Sequence, residues 1–303
     1  MKVLVIEFGG ADYEYIKKYN CKNLMQTEFG KIEVDELWNN RDVSTQITSQ
    51  LITGVTWRES GVKGRRHYTN PRVEWLEKNF FRRHGRHMPF EGRTRHLREG
   101  IYKTIPGFYF HKRNYVKEDL KCKTLFDKIP NSRAIYVPSY NPEPSWALMR
   151  NILDPRQYPE FGEEGALDLL EKNFYWRKKK LMEELPKDYQ FLMCQFQIID
   201  SLQHLYIAYQ DKPKWDKIEE GYHRIDDFAK SIVDRASHYD IILFLSENGA
   251  ARPPHDKSVF THYNRPFYSI NRKMNLKKTN MRDFHNHILE WIQKEPHSAK
   301  LKI

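Results

Sequence analysis

The stretch Phe191-Leu-Met-Cys-Gln-Phe-Gln-Ile-Ile-Asp-Ser-Leu-Gln-His204 decides how this chain is read. Its first nine residues, Phe191 to Ile199, carry no charge and predict a strand buried on both faces. A carboxylate, Asp200, closes the run, and an imidazole, His204, follows four residues later. Residues i and i+4 share a helix face, so both side chains converge above the C-terminal end of the strand. Open α/β sheets keep their ligands at that edge. A carboxylate and an imidazole suit a divalent cation, but two donors do not complete a site. The remaining ligands must come from elsewhere in the chain.

Upstream, Val3 to Phe8 reads as a buried first strand, with Gly9-Gly10 as the turn after it and Asp12 as cap of a short helix carrying Tyr13, Ile16 and Tyr19. Phe29 to Val34 is a short alternating strand. Ser44 to Thr53 is a helix stopped by Gly54. Leu120 to Ile129 reads as helix, Arg133 to Val137 as a strand ended by Pro138, and Leu167 to Leu185 as a long helix rich in Lys and Glu. Downstream, Trp215 to Tyr239 places Ile218, Tyr222, Ile225, Phe228 and Ile232 at helical spacing. Ile241 to Ser246 and Pro266 to Ile270 are further strands, and Met281 to Gln293 is a closing helix. Strands alternating with helices predict one α/β domain over residues 1–303, a doubly wound and mostly parallel sheet flanked by helices.

With 303 residues, 39% of them apolar, the chain is long enough to bury a sizeable core. Nine uncharged residues fall far short of a membrane span. The three widely spaced cysteines, Cys21, Cys122 and Cys194, suit neither a disulfide framework nor a cysteine zinc site, and a reducing cytoplasm is the default compartment. The charge is concentrated. Lys63 to Arg113 holds 14 Lys and Arg against 4 Glu, a surplus of ten in a chain whose net charge is +11. Residues 63–118 therefore read as a basic insertion within the domain. Arg82, Arg83 and Arg86 beside Phe80 and Phe81, with Arg93 and Arg95 beyond, combine phosphate-binding cations with stacking faces. The expected partner is a polyanion such as nucleic acid; the bland reading is a solvated face that raises the pI.

Four strand ends carry chemistry: Gly9-Gly-Ala-Asp12, the Ser44-Thr45 helix start, Asp200 with His204, and Ser246-Glu-Asn-Gly249 with His262 beyond. In this order they resemble the alkaline phosphatase superfamily, nearest to its type I phosphodiesterases and nucleotide pyrophosphatases. The family's first strand ends Gly-Leu-Asp-Gly-Ala where this chain has Glu7-Phe-Gly-Gly-Ala11. Its nucleophile lies nine residues before a Thr-Gly pair, which puts Ser44 in that role ahead of Thr53-Gly54. Its Asp-x-x-x-His matches Asp200 to His204, its Ser-Asp-His-Gly matches Ser246-Glu-Asn-Gly249, and its last metal histidine falls on His262, with His255 as a competitor. The passage from Thr124-Leu-Phe-Asp to Val137-Pro-Ser-Tyr140 is also similar.

The resemblance implies an alkaline phosphatase-like fold and a metal-dependent phosphoester hydrolase, of phosphodiesterase or nucleotide pyrophosphatase type. It implies one well-formed zinc or manganese site at Asp200, His204 and His262. The second site departs from the family: its ligands become Gly9, Ser44, Glu247 and Asn248, and glycine has no donor to give. Glu7 and Asp12 stand near enough in sequence to be considered in its place. Two readings follow. One is a hydrolase acting on a phosphate ester through Ser44 with a single ion. The other is a catalytically inactive relative that binds nucleic acid or another polyanion through the basic insertion. Each residue also has a plain structural reading: Ser44 as a helix cap, Asn248-Gly249 as a turn pair, His262 as a satisfied core histidine.

Overall fold

Every residue of Val3–Phe8 (β1), Phe191–Phe196 (β6) and Ile241–Leu245 (β7) is buried, as a run of branched and aromatic side chains without alternation requires. In the computed structural model these three lie side by side and parallel, β1 in the centre, with Val3 level with Phe191 and with Ile241. The structure describes residues 1–34, 44–64, 66–68, 70, 112–142, 162–208, 210, 212–253 and 262–294. Ser132–Ile135 (β5) pairs parallel to β6, and Phe267–Ile270 (β8) pairs antiparallel to β7. Glu28–Lys31 (β2) closes the far edge, antiparallel to β8. The sheet order is β2-β8-β7-β1-β6-β5, a mixed six-stranded sheet that is mostly parallel, as the sequence predicts.

Helices cover both faces. On one, Leu4, Ile6 and Phe8 meet Ala166, Leu170, Phe174 and Leu181 of Gly162–Glu184 (α5) and Ile218, Tyr222, Ile225 and Phe228 of Trp215–Arg235 (α7). Phe228 is the hinge of an aromatic cluster, edge-on to Phe196 at 4.9 Å and to Phe174 at 5.2 Å between ring centres. Such pairs contribute about 0.5–1.5 kcal/mol each beyond the area they bury. On the other face Val3 and Val5 meet Ile47, Leu51 and Ile52 of Ser44–Thr53 (α2) and Phe284, Ile288 and Trp291 of Met281–Gln293 (α8). Strand alternation thus sends Glu7, of the same parity as Val3 and Val5, towards α2.

Several boundaries differ from the sequence reading, each for a local reason. The strand expected to reach Ile199 stops at Phe196, because Gln197 (φ −115°, ψ 15°) turns the chain into Ile198–Gln203 (α6), and Asp200 lies in the first turn of that helix. The helix expected over Leu120–Ile129 is confined to Leu125–Lys128 (α4): Leu120 is extended, and the Thr124 amide and hydroxyl both donate to Asp127, starting the helix afresh. The β5 strand ends before Tyr136, whose φ of +54° breaks extended pairing. At the ends of the basic insertion, Arg66–Tyr68 (β3) and Lys112–Asn114 (β4) form a two-stranded antiparallel ladder. Arg82, Arg83, Arg86, Arg93 and Arg95 lie outside the described residues, as does His255. No described helix is long and apolar enough to cross a membrane.

The α2 helix is fixed at its end by a close approach. Gly54 has φ +74°, and a Cβ there would come within 2.6 Å of the His285 ring. That ring bridges the Leu51 carbonyl at 3.3 Å and the Lys128 ammonium at 2.8 Å, and burial, then the Lys128 charge, push its pKa down to about 4. Gly54→Ala is expected to destabilise the protein by about 1–2 kcal/mol from the left-handed backbone alone, and more from the contact. Urea denaturation measures this; an unchanged unfolding free energy would show that α2 and α8 adjust freely.

Candidate metal centre

The parallel register of β1, β6 and β7 brings their following loops to one edge of the sheet. The antiparallel β8 runs the other way, so the segment that enters it, with His262, arrives at this same edge. Asp200, His204 and His262, all buried, offer donor atoms within 4.8 Å of one another. Asp200 Oδ1 lies 3.6 Å from His204 Nε2 and 3.5 Å from His262 Nε2, and the two rings stand edge to face at 5.1 Å. The His262 Nδ1–H donates to the Gly249 carbonyl at 3.0 Å, which turns Nε2 towards Asp200. His204 opens a π-helical turn, His204–Ala208, directly after α6.

The loops are locked around Asp200. Its amide donates to the Gly9 carbonyl at 3.1 Å. Gly10 (φ +74°) passes so close that a Cβ would lie 2.8 Å from the Asp200 Cα. Gln203, which the sequence reading did not single out, joins three segments: its amide group donates to the Gly10 carbonyl and the Tyr222 hydroxyl, and its oxygen accepts from the Ala251 amide. Asp12 is fully committed elsewhere. It caps Tyr13–Lys18 (α1) and accepts from the Ala250 amide at 3.0 Å and the Arg265 guanidinium at 2.8 Å. It ties β1 to the loop after β7 and does not replace the missing ligand. Ser246 likewise is structural, its hydroxyl donating to the Ala11 carbonyl and accepting from the Phe267 amide.

Beside this triad stands a second group of buried acids. A Cβ on Gly9 would lie 3.0 Å from Glu247 Oε1, so the longer Glu247 side chain fills the space that glycine leaves. Burial and then the Asp200 charge push the Glu247 pKa up to about 7. The Ser44 hydroxyl and the Gly10 amide favour its charged form without closing hydrogen bonds of good geometry. Glu7 accepts from the Thr48 hydroxyl at 2.6 Å, and burial, followed by the Glu247 charge, raises its pKa well above the ordinary range. Both amide atoms of Asn248 are buried and unpartnered. Ser44, next to Glu247, also lines a cleft with Thr45, Tyr115, Tyr136, Ser139, Arg177, Gln195 and Gln197; Glu247 and Asn248 are not part of that wall. The signal for Glu7 was present in the sequence, since an acid inside a fully buried strand needs a reason.

No protein family model and no curated protein matches the chain. Solved structures do. A 2-O GAG sulfatase superposes with TM-score 0.53 at 8% identity, over 99% of this chain and 72% of its own. The alkaline phosphatase of the Antarctic bacterium TAB5 gives TM-score 0.50 at 9% identity, over 97% of this chain and 98% of its own. The chain has the alkaline phosphatase-like fold. Murine ectonucleotide pyrophosphatase/phosphodiesterase 5 gives TM-score 0.43 at 13% identity, and the match covers 57% of its length.

The donor set fits a metal. Asp200 Oδ1 is buried without a hydrogen-bond partner, and a carboxylate with two imidazoles is the three-ligand, one-open-position pattern of catalytic zinc sites. The group around Gly9, Glu247 and Asn248 fits a metal less well, since glycine offers no donor. His262→Ala is expected to weaken zinc binding, read by calorimetry, by more than the 10–100-fold typical of losing an outer-shell partner. Gly9→Asp would set a carboxylate against Glu247 and should lower the melting temperature in chelator, with much of the loss restored by manganese. An equal loss with and without metal would mean that no cation bridges these acids.

Proposed function

We propose that this chain is a metal-dependent phosphoester hydrolase of the phosphodiesterase or nucleotide pyrophosphatase type, with Ser44 as nucleophile. The observation that carries the reading is the meeting of Asp200, His204 and His262 at the strand edge that Ser44 also reaches. In this reading the triad holds one divalent cation, zinc or manganese. Such an ion supplies Lewis acidity to a phosphoryl oxygen. Ser44 begins the ten-residue α2, whose first backbone amides and dipole favour the phosphate group.

Serine is a weak nucleophile at neutral pH and needs a base or a cation beside it. Glu247 is that base. It adjoins Ser44, and burial raises its pKa from the ordinary carboxylate range, which makes it a better proton acceptor. The Ser44 oxygen attacks phosphorus as its proton passes to Glu247, which gives it to the departing oxygen so that the alcohol or nucleotide leaves; water then attacks the phosphoseryl group, losing a proton to Glu247, which returns it to the Ser44 oxygen as the P–O bond to serine breaks. Gly10 and Gly249 admit no side chain, which keeps the loops close enough for this geometry. Gly9, where the family has a ligand, favours the second reading, an inactive relative that keeps the fold.

With zinc or manganese supplied, hydrolysis of bis-p-nitrophenyl phosphate should be abolished by Ser44→Ala and reduced about 10²–10⁴-fold by Glu247→Gln. Because the base must be unprotonated, kcat/KM should fall towards acid pH as Glu247, its pKa raised by burial, takes up a proton. Turnover surviving in Ser44→Ala would remove the nucleophile. No turnover by the unmodified, metal-loaded protein would favour the inactive relative.

A further inference from the structure

The long helix α5 carries a surface that the hydrolase reading does not use. Tyr175 and Trp176 are consecutive and are 68% and 57% exposed, the two most exposed large apolar side chains among the described residues. Burying them elsewhere was open to the chain: Ala166, Leu170, Phe174, Arg177 and Leu181 make the inner stripe of the same helix. From Lys172 to Lys180 the sequence holds five cations and no acid, and all but the buried Arg177 lie outside the inner stripe. Lys172 stands one turn before the aromatic pair and Lys179 one turn after it, each three and four residues from the two rings, so all four share the outer face. Lys172 is also paired with exposed Asp168, a contact of the kind that contributes little and exchanges readily.

The platform is continuous with the Ser44 cleft. Trp176 stacks on Tyr136 with ring centres 6.3 Å apart and planes 18° from parallel. Tyr136 lines the cleft together with Ser44 and Arg177, and the Arg177 guanidinium lies over the Tyr136 ring at 5.0 Å. Tyr136 is held with φ +54° and Ser139, also in the wall, with φ +59°. Left-handed backbone in non-glycine residues clusters at binding sites, where the surroundings hold it in place.

We infer that the outer face of α5, with Lys172, Tyr175, Trp176 and Lys179, binds single-stranded nucleic acid and leads it to the Ser44 cleft. Exposed rings accept bases, since every base has a π-face, and interleaved lysines accept the phosphates between them. A protein partner would use the rings but has no general need of a lysine on each side of them. This surface lies outside the basic insertion and needs no chemistry at Ser44, so it goes beyond the hydrolase reading.

The test is fluorescence anisotropy of a labelled oligothymidylate with the intact protein in EDTA, which separates binding from turnover. Trp176→Ala and Tyr175→Ala should each weaken binding about fivefold or more, the change that 1 kcal/mol of lost stacking produces, and Trp176→Phe should restore most of it. Lys172→Gln with Lys179→Gln should flatten the log–log salt dependence by about 0.7 for each phosphate that is no longer neutralised. All these side chains are at the surface, and circular dichroism checks that the fold is kept. Affinity that is unchanged in Trp176→Ala and Tyr175→Ala, but abolished in Arg82→Ala with Arg83→Ala and Arg86→Ala, would overturn the proposal and move the site to the insertion. No binding by the unmodified protein at low salt would overturn it as well, leaving the rings as a contact for another protein.

Discussion

Three carboxylates, Glu7, Asp200 and Glu247, stand at the C-terminal edge of the sheet with almost no access to water, and each holds an oxygen without a hydrogen-bond partner. An ionised carboxylate taken out of water unpaired costs several kcal/mol, so such a group must gain a proton or a cation. The raised pKa values of Glu7 and Glu247 express the first outcome. The two imidazoles that close on Asp200 provide for the second. Much of the surrounding architecture serves to hold these acids away from water.

That holding is done by backbone proximity rather than by many side chains. Gly10 lies against Asp200, and Gly249 against Asp12 and the Tyr263 carbonyl, at distances that admit no Cβ. Asp12 and Gln203 then tie backbone groups of the three loops together by hydrogen bonds, to the Ala250 and Ala251 amides and the Gly10 carbonyl. The cores on the two faces of the sheet are apolar and conventional, and they fix the strand register on which the loops depend. Stability and site geometry are therefore coupled through β1, which supplies Glu7 to one face and the Gly9-Gly10 turn to the edge.

The two halves of the site differ in their donors. The triad half keeps a nitrogen-rich, three-donor set that matches zinc chemistry. The other half has Gly9 at the end of the first strand, and the Glu247 carboxylate after β7 lies in the space where a side chain there would stand. A buried carboxylate beside Ser44 is suited to proton transfer as much as to coordination, which is why the proposed chemistry rests on Glu247 as a base.

The sequence by itself determined the strand–helix order, the buried character of β1, β6 and β7, and the limits of α2 and α8, because uninterrupted apolar runs and 3.6-residue spacing are local properties. It also determined which residues stand at strand ends, and so drew attention to Ser44, Asp200, His204, Glu247, Asn248 and His262. Only the tertiary structure decided which of them meet. The convergence of His262 with a motif nearly sixty residues away depends on β8 running antiparallel, and strand direction is a property of pairing, not of composition. The same holds for Asp12, a helix cap by sequence that turns out to anchor the loop after β7, and for Gln203, an amide in no motif whose partners lie on three other segments. Its role follows from burial, which makes an unpartnered amide costly, and burial belongs to the assembled fold.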